Sequence, residues 1–356
     1  MSRFHALEVA EVRRQTSDSV SIGFKIPDKL TSEFAFIPGQ YLTLRAVIDG
    51  EDIRRSYSIC SAIDESLLRI GVKKVGGGAF SSVANETLKP GDVVEAMPPE
   101  GRFVIPQGAS ARHVLGIAAG SGITPILSIA KSLLAREPEA RFTLIYGNRT
   151  SNSVMFAEEI EDLKNRFLQR LSVVHVLSRE PQDVPLLNGR ITAERIGALA
   201  NGVVDLATVD HAFLCGPEAM IAEAKAALQA LGLPSERIRS ELFTASTPRR
   251  HFHPAPSAPR GEIVSHVSVK LDGKRHAFDM LATDENVIDA AARAGIDLPY
   301  SCHGGMCCTC RCRLEKGEVA MALNYSLEDW EMKAGFVLAC QSTPKTAEIS
   351  LDFDQM

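Results

Sequence analysis

Residues 301–310 read Ser-Cys-His-Gly-Gly-Met-Cys-Cys-Thr-Cys, and Cys340 follows this stretch after 29 further residues. The spacing is Cys302-x4-Cys307-x2-Cys310, followed by x29 to Cys340. This is the plant-type ligand pattern of a 2Fe–2S cluster, in which three thiolates come from one loop and the fourth from a distant segment. The two glycines let the backbone wrap closely and aim N–H groups at the sulfurs. The pattern predicts a cluster domain with these four cysteines as metal ligands.

Disulfides and zinc account less well for the cysteines. A disulfide framework is typical of exported proteins, and the first residues of this sequence lack the apolar segment of a secretory signal. A structural zinc site usually has paired C-x2-C knuckles, whereas here one pair has four intervening residues and the last cysteine stands alone. Cys308 and Cys312 are then extra thiols, and we expect them to be packed or spare rather than ligands.

The composition is that of an ordinary globular protein. The chain has 356 residues, enough for two or three domains, with 45% hydrophobic and 23% charged residues. Its most apolar stretch, 113–130, is interrupted by Gly, Ser, Thr and Pro, which predicts strand, loop and helix rather than a membrane span. A cytoplasmic location is expected. Without a basic patch rich in aromatic residues, neither nucleic acid nor a membrane is expected as a partner.

The acidic surplus lies at the C-terminal end. Residues 263–356 contain nine Lys or Arg and fourteen Asp or Glu, a net charge of −5, whereas the rest of the chain has thirty of each. Two interpretations remain open, which are plain solubility and steering of a basic electron-transfer partner.

The first hundred residues predict a small antiparallel barrel, because short alternating runs are separated by Gly, Pro and Asp turns. Within them, residues 54–60 read Arg-Arg-Ser-Tyr-Ser-Ile-Cys. On a strand, Arg55 and Tyr57 share one face, while Ser56 and Ser58 share the other. The guanidinium suits a pyrophosphate and the phenol ring suits stacking on a flavin. Taken alone, an ordinary surface strand accounts for this motif equally well.

A glycine-rich segment follows at 71–82, Gly-Val-Lys-Lys-Val-Gly-Gly-Gly-Ala-Phe-Ser-Ser. Three glycines that run into a helix-like segment present free N–H groups at a helix N-terminus, which is a good phosphate site. A flexible hairpin tip is the alternative. The two motifs together, roughly 20 residues apart in a barrel, favour FAD.

From residue 112 the pattern changes to buried strands that alternate with helices. The apolar run 114–119 is typical of a parallel strand, and 120–125, Gly-Ser-Gly-Ile-Thr-Pro, leads into a helix through about 136. G-x-G-x-x-P is a weak motif by itself, but its strand–turn–helix context is that of a dinucleotide site. Cys215 ends the strand 212–217 at the edge where such sheets bind ligands, although a packed core cysteine is the usual alternative.

The next strand, 142–146, ends in Gly-Asn-Arg-Thr-Ser-Asn-Ser at 147–153. An NAD site usually has an acid here to hold the ribose hydroxyls, whereas an NADP site tends to have an arginine. No Asp or Glu lies between 141 and 157, while Arg149, with Ser153 nearby, suits a 2′-phosphate. NADPH is therefore favoured over NADH.

The predicted fold class is multidomain, with an antiparallel β-barrel FAD domain, a parallel-sheet α/β nucleotide domain and an α+β, β-grasp ferredoxin-like domain. A segment with four prolines, 248–259, is typical of a semi-rigid linker. The predicted boundaries are 1–108 for the barrel, 109–244 for the NADP domain, 245–262 for the linker and 263–356 for the 2Fe–2S domain.

This order of segments resembles the ferredoxin–NADP⁺ reductase superfamily with a plant-type ferredoxin fused at the C-terminus, as in reductase components of multicomponent oxygenases. The resemblance covers essentially the whole chain and rests on 54–60, 118–125, 143–150 and 324–328. The Asn-Arg-Thr at 148–150 and the Asn-Tyr-Ser-Leu at 324–327 are its more particular parts, and they point to the reductase subunits of multicomponent epoxidases. The doubled Cys307-Cys308 departs from the usual loop, which more often has a small residue second.

The resemblance implies roles for matching positions. Ser58, near the reactive flavin nitrogen, and Cys215, at the nicotinamide, would be the catalytic residues. The predicted cofactor-binding residues are Arg55, Tyr57, Ser58, Val72, Lys73, Gly78, Ala79, Phe80 and Ser81 for FAD, and Gly120, Gly122, Thr124, Arg149, Ser153, Cys215, Gly216 and Pro217 for the nucleotide.

The resemblance also implies an electron relay. NADPH would give a hydride to FAD, and single electrons would pass through the cluster to the di-iron oxygenase subunits of a multicomponent epoxidase. One alternative is a reductase for another aromatic-ring oxygenase. Another is a flavin and iron–sulfur redox sensor, for which the sequence contains no output or DNA-binding element.

Overall fold

The structure is a computed structural model that describes residues 4–109, 111–244 and 261–355. It divides into two compact units, Met1–Thr244 and Ala245–Met356. Nearly all of the predicted linker, 245–262, lies outside the described residues. No helix in the described part of the chain is both long and apolar enough to span a membrane.

The first part of unit 1 is an antiparallel barrel. Its elements are β1 (His5–Thr16), β2 (Ser19–Lys25), β3 (Tyr41–Ile48), β4 (Glu51–Ser58), β5 (Leu68–Lys73), α1 (Ala79–Glu86) and β6 (Val93–Ala96). The strand order is β4-β3-β6-β1-β2-β5, and a bridge between Ile59 and Ile70 brings the two outer strands together. Alternation along the strands places Leu42, Leu44 and Ile70 inside, fully buried. This is the barrel that the alternating runs predict.

The second part of unit 1 is a parallel sheet covered by helices. Its elements are β7 (His113–Ala119), α2 (Ile123–Arg136), β8 (Arg141–Asn148), α3 (Ala157–Arg166), β9 (Leu171–Leu177), α4 (Ala193–Gly202), β10 (His211–Pro217), α5 (Glu218–Ala230) and β11 (Ile238–Thr244). The strand order is β11-β10-β7-β8-β9, so the winding reverses between β7 and β10. Ligands of such sheets bind at the carboxyl ends of the strands beside that reversal.

Charged side chains join the barrel to this sheet. Lys131 Nζ on α2 lies 2.5 Å from Glu65 Oε1 and 2.5 Å from Glu159 Oε1. Arg69 on β5 donates to the same two carboxylates, at 2.6 Å each. Because each cation contacts one acid before β5 and one acid on α3, we call these four residues the bridging ion cluster.

A close packing contact lies beside the bridging ion cluster. A Cβ atom at Gly71 of β5 would lie 2.6 Å from Thr124 Cγ2 and 3.1 Å from the Phe156 ring, so only glycine fits there. Phe156 has a left-handed backbone, with φ 59°, and its N–H donates to Gln15 Oε1 of the barrel at 3.2 Å. The barrel therefore lies directly against the start of α2.

Unit 2 has the predicted β-grasp arrangement. Its elements are β12 (Ile263–Leu271), β13 (Lys274–Leu281), α6 (Val287–Arg293), β14 (Arg311–Lys316), β15 (Val319–Met321), α7 (Asp329–Lys333), β16 (Phe336–Leu338), β17 (Ser342–Pro344) and β18 (Glu348–Asp352). The main sheet has the order β13-β12-β18-β14-β16, in which β12 and β18 are parallel, and β15 pairs with β17. The apolar face of α6, with Val287 and Ile288, packs in the same core as Val267 and Leu351.

Candidate functional site

The predicted flavin residues lie on β4, β5 and α1. The rings of Tyr57 and Phe80 pack together, with centroids 5.4 Å apart and planes tilted by 36°. Arg55 is half-buried and donates from Nη1 to the carbonyl of Arg54 at 2.7 Å. Lys73, which follows Val72 on β5, pairs through Nζ with Asp18 at 3.0 Å. The side chain of Lys73 is therefore neutralised by a barrel residue.

The glycine turn before α1 has an open side and a closed side. A Cβ atom at Gly76 or Gly77 would meet nothing within 4 Å, whereas one at Gly78 would lie 2.5 Å from Ser81 Oγ. The Ser81 hydroxyl donates to the Gly78 carbonyl and accepts from the Val75 N–H, both at 3.1 Å. Ser81 therefore shapes the turn, and phosphate binding by the backbone N–H groups beside Ala79 stays a prediction.

The turn after β7 touches the end of β10 at the reversal of the sheet. A Cβ atom at Gly122 would lie 2.2 Å from the Cys215 carbonyl oxygen, which only glycine avoids. Gly216, which precedes Pro217, has φ 158°, and a Cβ there would lie 2.7 Å from Met220 Cε. Gly120 has φ 55° and open space around it. The predicted nicotinamide residues are thus brought together at one edge.

Thr124 supports the turn after β7 at that edge of the sheet. Its hydroxyl donates to the Ser121 carbonyl at 3.0 Å, and the residue is fully buried. Its methyl group faces Gly71 of the barrel. The Tyr146 hydroxyl donates to the Gly120 carbonyl at 2.9 Å. These bonds fix the turn that is predicted to bind the nucleotide.

Glu241 on β11 is a site residue that the sequence reasoning missed. Ser58 Oγ donates to Glu241 Oε2 at 3.1 Å, and Glu241 is the register partner of Cys215. Burial raises the pKa of Glu241 to about 7, and the hydrogen bond from Ser58 opposes that rise. A search for acids near the carboxyl end of every strand would have found it.

Cys215 is an uncharged group at this edge. Burial, and then the nearby carboxyl of Glu241, raise the pKa of the Cys215 thiol well above its ordinary value. The thiol is therefore protonated at neutral pH and is a poor nucleophile. Its place beside the reversal suits contact with a nicotinamide ring rather than covalent chemistry.

The region predicted to hold the ribose end of the nucleotide contains two arginines. Arg149, predicted for the 2′-phosphate, is exposed, and its carbonyl accepts the N–H of Arg179 at 2.8 Å. Arg179, also exposed, follows β9 and was not predicted. Ser153, also predicted for the nucleotide, lies in the turn after β8, and its Oγ donates to the Thr150 carbonyl at 2.7 Å.

The four predicted ligand cysteines form two pairs in unit 2. A hydrogen bond from the Cys307 thiol lowers the pKa of Cys302 to about 6, with burial opposing and backbone N–H groups assisting. Two of those N–H groups, of Gly304 and Met306, lie 3.4 Å from Cys302 Sγ. A hydrogen bond with Cys340 raises the pKa of Cys310. Cys302 is thus the thiol most easily converted to a ligand.

This pairing fits a 2Fe–2S cluster, whose two irons share four cysteine thiolates. The two pairs, Cys302 with Cys307 and Cys310 with Cys340, match the two ligands that each iron would need.

The loop around the pairs is held by residues distant in sequence. A Cβ at Gly305, where φ is 73°, would lie 2.9 Å from the Leu323 carbonyl oxygen. The Gly305 carbonyl accepts from Tyr325 N at 3.1 Å and from Ser326 Oγ at 3.0 Å. Gln341 Nε2 donates to the His303 carbonyl at 2.8 Å. These contacts assign a support role to the stretch 324–327.

The two extra cysteines differ in environment. Cys312 is fully buried, and its thiol lies 3.9 Å from the Val337 carbonyl. Cys308 is half-buried and has a left-handed backbone with φ 57°, which is uncommon for a side chain other than glycine. Neither was predicted to be a ligand.

Models of three protein families match the chain. The oxidoreductase FAD-binding domain matches residues 6–105, the oxidoreductase NAD-binding domain matches 117–226, and the 2Fe–2S iron-sulfur cluster binding domain matches 269–345. The predicted fold class is confirmed, and so are domains for FAD, a nicotinamide nucleotide and a 2Fe–2S cluster. The exact domain boundaries and the individual site residues stay predictions.

Similar proteins cover the whole chain. A subunit of the 1,2-phenylacetyl-CoA epoxidase of Escherichia coli K12 is 44% identical over 99% of each chain. The ferredoxin reductase component of the 3-ketosteroid-9-alpha-monooxygenase of Rhodococcus rhodochrous is 33% identical over 99% of this chain and 97% of that protein. The solved phthalate dioxygenase reductase has the same fold, with TM-score 0.60 and 23% identity over 98% of each chain.

We expect Cys340→Ser to abolish cluster binding, because it removes one thiolate of a pair and leaves an iron without its ligand set. Iron and sulfide content and the visible spectrum measure this loss, while FAD content should remain that of the wild type. Cys312→Ser is the matched control, since Cys312 is equally buried in the same unit. A Cys340→Ser protein that keeps full iron content would show that the ligand assignment is wrong.

We expect flavin reduction by NADPH to slow roughly ten-fold as pH rises through about 7, because ionised Glu241 can no longer donate a proton toward Ser58. Glu241→Gln should remove this titration in stopped-flow traces. The folded chain binds this proton more tightly than the unfolded chain, so stability should also fall as pH rises from 4.5 through about 7 in the wild type alone. Glu236→Gln is the exposed control, and an unchanged pH profile in Glu241→Gln would contradict the assignment.

Proposed function

The chain belongs to the family of oxygenase reductase components that join an FAD-binding, a nicotinamide-nucleotide-binding and a 2Fe–2S domain, and from that membership we propose that it is the reductase subunit of a phenylacetyl-CoA 1,2-epoxidase. It is an NAD(P)H-dependent oxidoreductase that transfers electrons to an oxygenase. The observation that carries the proposal is 44% identity to the Escherichia coli epoxidase protein over 99% of both chains. The segments 148–150 and 324–327, which point to this reductase within the group, support it.

FAD, when bound, would accept a hydride from the nicotinamide, and a bound 2Fe–2S cluster would pass electrons on singly. The residues of the chain position and isolate these groups. Gly122 keeps the first nucleotide turn against the Cys215 carbonyl, so the turn and the Cys215 segment would form one surface for the nicotinamide. The buried thiol of Cys215 stays neutral. Ser58 and Glu241 are therefore the residues at this edge that would respond to the charge that develops during hydride transfer.

Ser58 and Glu241 share the proton of their hydrogen bond, and the direction of that bond depends on the protonation of Glu241. With Glu241 ionised, the Ser58 hydroxyl donates to Oε2. With Glu241 protonated, the carboxyl can donate to Ser58 Oγ instead, and the Ser58 proton becomes available to a group on the barrel side. A pKa of about 7 lets Glu241 take both states near neutral pH.

The proposed donor is NADPH rather than NADH. Arg149 and Arg179 are joined by a backbone hydrogen bond, and both are exposed, so they supply two cations at the carboxyl ends of β8 and β9. Arginine forms strong bidentate hydrogen bonds with phosphate oxygens. The 2′-phosphate would be held between these two guanidiniums.

The proposed electron acceptor is the di-iron oxygenase part of the epoxidase, and the proposed location is the cytoplasm, where reducing conditions keep the eight cysteines available for metal binding. A second candidate is the reductase component of another oxygenase. The 33% identity to the 3-ketosteroid-9-alpha-monooxygenase component favours that candidate. The redox-sensor alternative has no comparable support.

We expect Arg149→Ala and Arg179→Ala each to raise the KM for NADPH by roughly ten-fold, since each removes a charge-assisted hydrogen bond to phosphate. The KM for NADH, which lacks the phosphate, should change less than about two-fold. Steady-state ferricyanide reduction measures both constants, with Arg166→Ala on α3 as the exposed control. Equal losses with both nucleotides would contradict the assignment of the 2′-phosphate site.

The proposed function predicts NADPH consumption that depends on both the oxygenase subunits of a phenylacetyl-CoA epoxidase and phenylacetyl-CoA. Purified reductase, oxygenase subunits and acyl-CoA are combined, and NADPH loss and epoxide formation are followed together. Free phenylacetate and benzoyl-CoA serve as substrate controls. Coupled turnover with a different oxygenase, and none with this one, would establish the second candidate instead.

A further inference from the structure

The short helix α7 exposes two large apolar side chains. Trp330, the single tryptophan of the chain, is 54% exposed, and Met332 is 41% exposed. Aromatic residues and Met are enriched in protein interfaces and make the largest contributions to binding there. An exposed indole on a helix of five residues contributes little to the core of unit 2, so a role outside the core is indicated.

The buried side of α7 is bonded to β14, the strand that follows the predicted cluster ligand Cys310. Glu331 is fully buried, and its Oε1 accepts from Arg311 Nε at 2.7 Å. Arg311 directly follows Cys310, and its guanidinium lies 3.4 Å from the centroid of the Phe336 ring. A buried ion pair of this kind tolerates little displacement, because breaking it leaves a charge unpaired. The outer face of α7 is thereby held in a fixed position relative to β14.

The chain that enters α7 is also fixed to the cluster loop. Tyr325 and Ser326 both donate to the Gly305 carbonyl, and Asn324 Nδ2 lies 3.3 Å from Met332 Sδ. A protein that rests on α7 would therefore lie beside the loop from which electrons leave. That is where an acceptor must bind.

The exposed face of α7 has acidic side chains beside its indole. Glu328 and Asp329 are exposed, and Trp330 Nε1 donates to Glu328 Oε2 at 2.7 Å, which orients the ring. The residues 263–356 have a net charge of −5, whereas the rest of the chain has thirty basic and thirty acidic residues. Charge complementarity therefore favours a basic partner. A second copy would present the same acidic face, and like charges oppose that pairing.

We propose that Trp330, Met332 and Asp329 form the docking surface for the electron-accepting oxygenase, which would offer an apolar pocket with a basic rim. The inference rests on the proposed function, because that function supplies the acceptor. The indole is the anchor of this surface, and the carboxylates accelerate and orient the encounter.

The test measures how much reductase gives half-maximal NADPH-driven epoxidation with the oxygenase subunits of a phenylacetyl-CoA epoxidase. Trp330→Ala should raise that concentration by about ten-fold or more, and Trp330→Phe, which keeps a ring, by less. Asp329→Lys should raise it as well and reduce its dependence on salt. The matched controls are Ile263→Ala, an apolar residue 49% exposed in the same unit, and Glu318→Lys, an exposed acid before β15, and both should match the wild type within about two-fold.

A second readout separates docking from folding and from the internal relay. Iron content and anaerobic reduction of the cluster by NADPH should be those of the wild type in every variant. Slow cluster reduction in Trp330→Ala would place the indole in the internal relay and overturn the inference, as would equal epoxidation by Trp330→Ala and the wild type. Wild-type protein that supports no epoxidation would overturn the proposed function and this inference with it. If Trp330→Ala loses its cluster, Trp330→Phe and Asp329→Lys decide the question.

Discussion

The hydrogen bond between Ser58 and Glu241 is the contact on which the proposed site depends, because it joins the last residue of a barrel strand to the last strand of the parallel sheet. Glu241 acquires a pKa of about 7 only where folding removes its carboxyl from water beside Ser58. The proposed proton exchange in unit 1 therefore requires the barrel and the sheet to meet in one arrangement.

That arrangement is fixed by charges as well as by shape. In the bridging ion cluster, Lys131 and Arg69 each contact the carboxylates of both Glu65 and Glu159. Displacement of the barrel along the sheet would break several of these bonds at once and leave partly buried charges unpaired. Such a cluster contributes modestly to stability, but it restricts the geometry between the two halves of the site.

The sequence predicted best where chemistry depends on spacing within one segment. Cysteine intervals identified the cluster domain, and the strand–turn–helix order identified the nucleotide edge. Glu241 and Arg179 were missed, because each acquires its neighbour only when strands distant in sequence lie side by side. Ser81 and Ser153 show the converse, since their local hydrogen bonds are invisible in a motif. Motifs thus indicated the classes of ligand, while the individual atoms that would contact those ligands stay predictions.

The fit of Gly71 against Thr124 and Phe156 has a consequence for modular engineering. The separate domains of such reductases suggest domain exchange, in which the flavin domain of one protein is fused to the nucleotide domain of another. Here the Thr124 methyl group and the Phe156 ring occupy the space that a side chain at Gly71 would need, where the barrel meets the sheet. A chimera joined between the flavin and nucleotide domains would contain only part of this contact. A successful graft therefore has to transfer all three residues together.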